Sequence, residues 1–424
     1  MKKYFYKIIA KYLNFYINEK DSVFELHPLN NLLQKYLSSK DYACGKKPTD
    51  IPSNTNFVIL NGTLHYEKDI QKTLKEIHYI IPSHARLIVT YYSALWSPLI
   101  KLATWLGIRD KTPQMNWITH YDLQTFANLT NFEVVQRQSR ILVPFYIPVI
   151  SYILNRWILP LPIFQWLGIL NVAVLRPKFK QQWEEASVSV IVPARNEAGN
   201  IEQIVQRLPR MGKNDELIFI EGGSKDNTWG EIQRVQELYK EKITIRSAKQ
   251  DGKGKGDAVR KGFAMAQKEI LMILDADMTV PPEDLPKFYE AIKNDLGEFI
   301  NGSRLVYPME KEAMRFLNLV GNKFFAMAFS FVLNQPIKDT LCGTKVISKK
   351  NYEKLAQNRN YFGNFDPFGD FDLLFGASRM GLKIIELPIA YKARTYGTTN
   401  IQRWKHGWML LKMLVFAAKK IKFL

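Results

Sequence analysis

Asp275 and Asp277 stand one residue apart at the end of the apolar run Leu271-Met-Ile-Leu274. At an extended strand end, side chains two residues apart project to the same side. Two hard oxygen donors in that position suit Mg²⁺ or Mn²⁺ held against a diphosphate. A cation so placed offsets the charge on a leaving nucleoside diphosphate. The same pair in isolation also fits a solvated strand end or a turn, so its meaning depends on its neighbours.

The elements around it alternate. Val188–Val192 reads as a strand, followed by the loop Pro193-Ala-Arg-Asn-Glu197 and an amphipathic helix from Ile201 to Leu208. Glu216–Ile220 is a second strand, with the loop Glu221-Gly-Gly-Ser-Lys-Asp226-Asn-Thr228 and a helix through Tyr239. Ile243–Ile245 begins a third, followed by Asp251-Gly-Lys-Gly-Lys255-Gly256 and a helix to about Gln267. This order predicts an α/β domain with a parallel sheet and helices on both faces. Ligands in such sheets bind beyond the carboxyl ends of the strands, where these polar loops fall. A Gly-rich loop bearing Lys255 ahead of a helix cradles phosphate through backbone N–H groups, although the same residues also make a flexible basic turn.

With these motifs in view, residues from about 187 to 400 resemble a family 2 glycosyltransferase of GT-A (Rossmann-like) fold, and in particular the dolichyl- or polyprenyl-phosphate sugar transferases. Val192-Pro-Ala-Arg-Asn-Glu197 matches the first nucleotide-binding loop of that family, which implies that Pro193 and Glu197 flank base and ribose. The loop at Glu221 resembles Asp-Asp-Gly-Ser-x-Asp-x-Thr, with Glu221 for the first acid, Gly222 for the second, and Asp226 retained. Gly254-Lys-Gly-Asp-Ala-Val-Arg260 resembles the family's Gly-Lys-Gly-x-Ala-x-Arg, and Asp275-Ala-Asp277 its metal motif, with Asp277 the more direct ligand. Phe299-Ile-Asn-Gly-Ser-Arg304 and Asp339-Thr-Leu-Cys-Gly-Thr-Lys345 resemble segments on the acceptor side. Gly369-Asp370-Phe-Asp372 falls where the family has Phe-Asp-x-Glu, and Tyr391-Lys-Ala-Arg394-Thr-Tyr-Gly-Thr-Thr-Asn400 where a basic loop clamps the donor diphosphate. Asn400 replaces a common lysine, which leaves Arg394 to carry more of the clamp.

The resemblance implies a metal-dependent, inverting sugar transfer. A cation on Asp277 and Asp275, with Arg394, stabilises the leaving diphosphate. For a hydroxyl acceptor, Asp372 or Asp370 is the candidate base, and the alternative for both is capping of the helix near Leu373. For a lipid phosphate, already ionised near neutral pH, Arg304, Arg315 and Lys323 are the candidates to position it. Arg315 and Lys323 also fit a solvated helix face.

Residues 1–178 carry strands at Val23–Leu26, Phe57–Leu60 and Ala85–Tyr91, and a helix from Asp69 to Ile80. The order resembles a class I S-adenosylmethionine-dependent methyltransferase, with a final strand at Leu170–Leu175. The loop after the first strand, Glu25-Leu-His-Pro-Leu-Asn-Asn-Leu-Leu33, has no glycine, and Pro28 cannot replace one. The expectation is therefore a reduced methyltransferase-like domain without cofactor binding, structural or partner-docking in role, with His65 a capping or packing residue. The interval to Phe57 reads as too short for the usual intervening elements.

Lys and Arg number 59 against 40 Asp and Glu, a net charge of +19. With no nucleic-acid motif visible, this balance points to phosphates and a membrane surface. After Glu386 there is no acid, and Lys412, Lys419 and Lys420 accompany Trp404, Trp408 and Leu411 in a basic amphipathic C-terminal helix over 401–424. Residues 141–175 are apolar with Arg156 the one charge, but Pro144, Pro148, Pro160 and Pro162 argue for an interfacial patch or helical subdomain over a spanning helix. Met314–Val332 reads as an acceptor-side interface helix. Lys7 and Lys11 interrupt any signal-peptide core, and Cys44 and Cys342 fall in different domains. Both observations fit a cytoplasmic protein peripheral to the cytoplasmic face of the membrane.

The expected domains are 1–178, a glycosyltransferase domain over 186–400, and the helix over 401–424. The leading function is transfer from a nucleotide-sugar donor to a polyprenyl phosphate. The alternatives are a saccharide-hydroxyl (glycan) acceptor, a scaffold without turnover, and an active methyltransferase fused to the transferase.

Overall fold

The computed structural model describes residues 2–107, 116–179, 185–307, 316–363, 369–392, 394, 396 and 403–424. The chain divides into two units, Met1–Phe179 with Ala418–Leu424, and Lys180–Ala417. Each is mixed α/β and built on one sheet.

The first unit runs α1 (Lys2–Leu13), β1 (Ser22–Leu26), β2 (Asp41–Gly45), β3 (Phe57–Asn61), α2 (Ile70–Ile80), β4 (Arg86–Tyr92), α3 (Ser97–Trp105), α4 (His120–Leu129), β5 (Phe132–Arg140), α5 (Ile150–Ile153) and β6 (Leu170–Pro177). The sheet order is β2-β1-β3-β4-β6-β5. The first four strands are mutually parallel, and β6 runs antiparallel between β4 and β5. The expected strands at 23–26, 57–60, 85–91 and 170–175 are present, each within two residues. The interval before Phe57 also holds β2, which the sequence reading passed over. Its exposed and half-buried residues give no apolar run to find. Val58, Leu60, Leu87 and Val89 pack with Leu74 and Ile77 of α2, so α2 buries its i, i+3 stripe on the sheet.

The second unit runs β7 (Val188–Ala194), α6 (Ala198–Arg207), β8 (Glu216–Glu221), α7 (Thr228–Leu238), β9 (Thr244–Lys249), α8 (Lys255–Met265), β10 (Ile270–Ile273), α9 (Leu285–Lys293), β11 (Phe299–Ser303), α10 (Phe316–Leu333), β12 (Lys345–Ser348), α11 (Lys349–Gln357), α12 (Asp370–Arg379), β13 (Ile384–Pro388) and α13 (Arg403–Ala417). The order is β13-β11-β12-β10-β7-β8-β9. The expectation of a wholly parallel sheet needs correction, because β12 runs antiparallel to both β10 and β11. β8 and β10 are buried throughout and β7 at all but Pro193, and the three read as near-continuous apolar runs, as strands covered on both faces do. Pro193 is tolerated in central β7 because the β10 pairing stops at Ile191, two residues earlier.

Among the described residues no helix is long and apolar enough to cross a membrane.

Candidate active site

Three βα loops meet beyond the carboxyl ends of β7, β8 and β10. Asn196, at φ +57°, turns the chain after β7, and its side chain accepts from the Lys225 amide at 2.7 Å. Ser224 Oγ accepts from the Asn196 amide at 3.0 Å, which ties the first two loops together. Asp226 receives the amides of Ala198 (3.3 Å) and Thr228 (3.1 Å), and the Thr228 hydroxyl donates to it. Burial pushes this carboxyl up, but those donors outweigh it and the net shift is downward. Asp226 thus pins the N-termini of α6 and α7. Glu221 is buried, and its carboxylate accepts from the Ser224 amide.

Both carboxylates of the Asp-x-Asp pair lie beyond β10, which ends at Ile273, and so in a turn and not on the strand end expected. Met278, at φ +51°, closes that turn. Asp275 Oδ1 is 2.6 Å from Lys255 Nζ. Burial alone would raise the Asp275 carboxyl, but Lys255 lowers it, and Lys255 is correspondingly raised by Asp275, Asp370 and Asp277 against its own desolvation. Lys255 is the first residue of α8, and Gly254 before it holds φ +86°, open to glycine. Asp277 Oδ1 accepts from Thr279 N (3.1 Å) and Oγ1 (2.8 Å), and its Oδ2 is 2.7 Å from Arg394 Nη2. Arg394 Nη1 reaches Glu197 Oε1 at 3.0 Å. Burial lifts the Glu197 carboxyl to about 6, and Arg394 pulls it back only in part. Lys392 N donates to Thr279 O at 3.0 Å, so the segment bearing Arg394 is docked on the Asp277 turn.

Sequence reasoning overlooked three contacts here. Gly343 abuts the Asp275–Lys255 pair, where a Cβ would overlap Asp275 Oδ2 and stand 2.5 Å from Lys255 Nζ. The motif around Gly343 was visible, but not that its glycine touches the acidic turn. The Tyr396 ring lies over Gly199, 2.6 Å from where a Cβ would stand. Gly256 and Gly369 bring two backbones together, with 2.9 Å from a Gly256 Cβ to Gly369 Cα. That contact carries Asp370 to the phosphate-type loop.

The acceptor-side candidates are less uniform. Arg304 donates through Nε (2.7 Å) and Nη2 (2.8 Å) to Asp339, which is buried, and its guanidinium sits 5.2 Å from the Tyr391 ring. Asp339 is held below the usual carboxylate range because Arg304 overcomes its desolvation. Glu386 accepts from Asn301 Nδ2 (2.9 Å) and the amides of Asp339 (3.1 Å) and Lys338 (2.6 Å), a bracing role with no sequence signal. Lys323 is exposed on α10, and Arg315 lies outside the described residues, as does Asn400. Asp370 faces Lys345 at 3.0 Å, and Asp372 pairs with Arg359 at 2.7 Å. Neither aspartate caps α12, since Gly369 holds that position without a side-chain bond, and both sit in the first turn.

In the first unit His65 is fully buried, with Nδ1 2.5 Å from Asn116 O and Nε2 accepting from the Tyr92 amide at 2.7 Å. Both ring nitrogens serve packing, as expected.

Residues 189–356 match the family described as Glycosyl transferase family 2. Dolichol-phosphate mannosyltransferase of Pyrococcus furiosus is 31% identical over 221 residues, covering 51% of this chain and 59% of that protein. Dolichyl-phosphate hexose transferase of Haloferax volcanii is 27% identical over 228 residues, covering 54% of this chain and 92% of that protein. The chain thus spans about three fifths of the length of the Pyrococcus relative. Glucosyl-3-phosphoglycerate synthase of Mycobacterium tuberculosis, solved with Mn²⁺ and UDP-glucose, is 18% identical and covers 58% of this chain and 84% of that one, at a TM-score of 0.42. The stretch of the second unit over 189–356 is thus similar to family 2 glycosyl transferases. That family match does not reach the first unit.

Proposed function

We propose that this chain moves a sugar from a nucleotide-sugar donor to a lipid phosphate, with inversion, at a membrane surface. The observation that carries the reading is the Arg394 fork joining Asp277 and Glu197, with the Asp275–Lys255 pair beside it. Those five side chains gather cationic and carboxylate groups at the end of the sheet where a diphosphate would lie. The uncapped N-terminus of α8 adds backbone N–H groups suited to phosphate.

The donor set fits a hard divalent cation. Among the described residues no group of three His, Cys, Asp or Glu could hold a metal. Mg²⁺ and its kin, however, are held by one or two carboxylates together with substrate phosphates. Asp277 and Asp275 would supply those carboxylates. When bound, the ion offsets the charge of the leaving diphosphate. Arg394 presents a planar fork that serves a diphosphate as it serves a carboxylate, and Lys255 adds a point charge. Pro193, Glu197, Glu221 and Asp226 shape the nucleotide side.

The carboxylates of α12 favour a phosphate acceptor over a hydroxyl. A hydroxyl needs a base, yet Asp370 and Asp372 are each engaged by a cation, Lys345 and Arg359. An ionised phosphate needs none. The Arg304–Asp339 pair frames this side, and Lys323 on α10 remains placed to meet an anionic head group. α10 and α13 pack together and expose Val320, Phe324 and Trp408, a face suited to the lipid chain.

For the first unit we keep the reading of a reduced methyltransferase-like fold without cofactor binding. In its support, the Glu25 carboxylate is taken by the Tyr42 hydroxyl and the Asn61 amide, and the His27 ring meets Lys46 O in the glycine-free loop. The test of the enzyme reading is turnover of UDP- and GDP-sugars with Mg²⁺ or Mn²⁺, with and without a polyprenyl phosphate. The test of the first unit is S-adenosylmethionine binding by calorimetry, expected to be absent.

A further inference from the structure

The first unit exposes apolar side chains that its own core does not use. α3 buries none of its residues, yet it carries Leu99 (55% exposed), Leu102 and Trp105 (80% exposed) on show. An amphipathic helix ordinarily gains its stability by burying such a face. The segment 141–169 presents Val149, Ile163 (75% exposed) and Trp166 likewise. These are not scattered residues. The Trp96 indole donates to Leu167 O at 2.8 Å, and Ser93 N donates to Ile169 O at 2.8 Å, which joins the start of α3 to the segment. Tyr4 of α1 meets Tyr146 edge-to-face at 5.5 Å, which joins α1 to it.

The segments that carry this surface hold charge of one sign. Lys2–Leu13, 94–106 and 141–169 together hold six Lys and Arg and no Asp or Glu. On α1, Lys3, Lys7 and Lys11 recur every fourth residue along its exposed side, while Tyr6, Ile9 and Leu13 face the core. Lys11 is lowered by burial and by the nearby Arg156 and Lys7, so these cations crowd together.

We propose that this face of the first unit docks on an anionic bilayer surface, with α3 and the 141–169 segment at the level of the head groups and the α1 lysines against the lipid charge. An apolar face that carries Trp, on segments whose only charges are cationic, is the chemistry of a monotopic lipid contact. The occupant is lipid and not a second protein because the segments that form the face carry cations and no acid, and Lys near an anionic leaflet strengthens such binding. The inference deepens the proposed function by giving the first unit the role of holding the transferase at its lipid acceptor, and it stands on observations in that unit alone.

Co-sedimentation of the full chain with vesicles tests it. The chain is expected to bind phosphatidylcholine–phosphatidylglycerol vesicles, and to bind pure phosphatidylcholine far less. Trp105→Asp with Trp166→Asp, both exposed, should lower the partition coefficient by about tenfold or more, and Lys3→Glu with Lys7→Glu by about thirtyfold or more. The melting temperature should hold, as should donor hydrolysis with a short, detergent-soluble polyprenyl phosphate. Three results would overturn the proposal: no vesicle binding by the full chain, undiminished binding by the tryptophan variant, or a dimer in sedimentation velocity that the variant dissociates. If no donor is turned over at all but vesicle binding still depends on Trp105 and Trp166, the docking face stands and the enzyme reading falls.

Discussion

Arg394 meets Asp277 at 2.7 Å across 117 residues of chain. The two come from segments with no neighbouring sequence, and they converge because Lys392 is hydrogen-bonded to the turn that holds Asp277. Arg394→Lys keeps the charge and discards the fork that also reaches Glu197. Donor turnover is expected to fall roughly 10²–10³-fold, the usual cost of one preorganised donor at a developing charge. Melting should shift little, since the pair is part-exposed. Steady-state kinetics beside a thermal melt checks both; an unchanged kcat would show that Arg394 does not touch the leaving group.

Gly343→Ala should be damaging for a steric reason alone. Its methyl group would stand within the Asp275–Lys255 pair. Either the pair parts or the β12 approach shifts, and overpacking of this kind costs about 1–3 kcal/mol. A melt and a donor-hydrolysis assay should both decline, and Gly321→Ala, where no atom lies near, is the control that should not.

The strand-borne part of this site was legible in the sequence because buried strands leave continuous apolar runs, and β7, β8 and β10 each end at a polar loop. The acids and lysine of those loops could be named from residue type. What was not legible came from pairings between distant segments. The antiparallel return of β12 follows from sheet order, which periodicity does not carry. Gly343, Glu386 and Tyr396 matter through contacts with Asp275, Asp339 and Asp226 that only the assembled sheet edge creates. In the first unit, β2 hid because its residues are exposed or half-buried and form no apolar run.

Glu197 predicts a pH dependence of stability. Its carboxyl is raised by burial to about 6 from the ordinary 4.5. Between those values the folded chain binds more protons than the unfolded one, so this group lowers stability as pH rises through that window. Above about pH 6 the cost levels at about 2 kcal/mol. Glu197→Gln removes the titration, so its stability relative to the parent should grow from pH 4.5 to 6 and stay constant beyond. Denaturant melts at several pH values measure it, and a flat difference would contradict the assignment.

Stability and turnover read together decide the role of Asp372. Asp372→Asn leaves the part-buried Arg359 without its 2.7 Å partner, which should cost about 2–4 kcal/mol of stability. Any loss of turnover would then follow unfolding. If instead Asp372→Asn melts normally while kcat collapses, Asp372 is the base and the acceptor is a hydroxyl.

The most direct test of the account is transfer from radiolabelled UDP- and GDP-sugars to a polyprenyl phosphate, comparing the parent chain with Asp277→Asn. The account predicts lipid-stimulated turnover that requires Mg²⁺ or Mn²⁺, stops with chelator, and is absent in a normally folded Asp277→Asn variant. Turnover that ignores the metal, or persists undiminished in that variant, would contradict it.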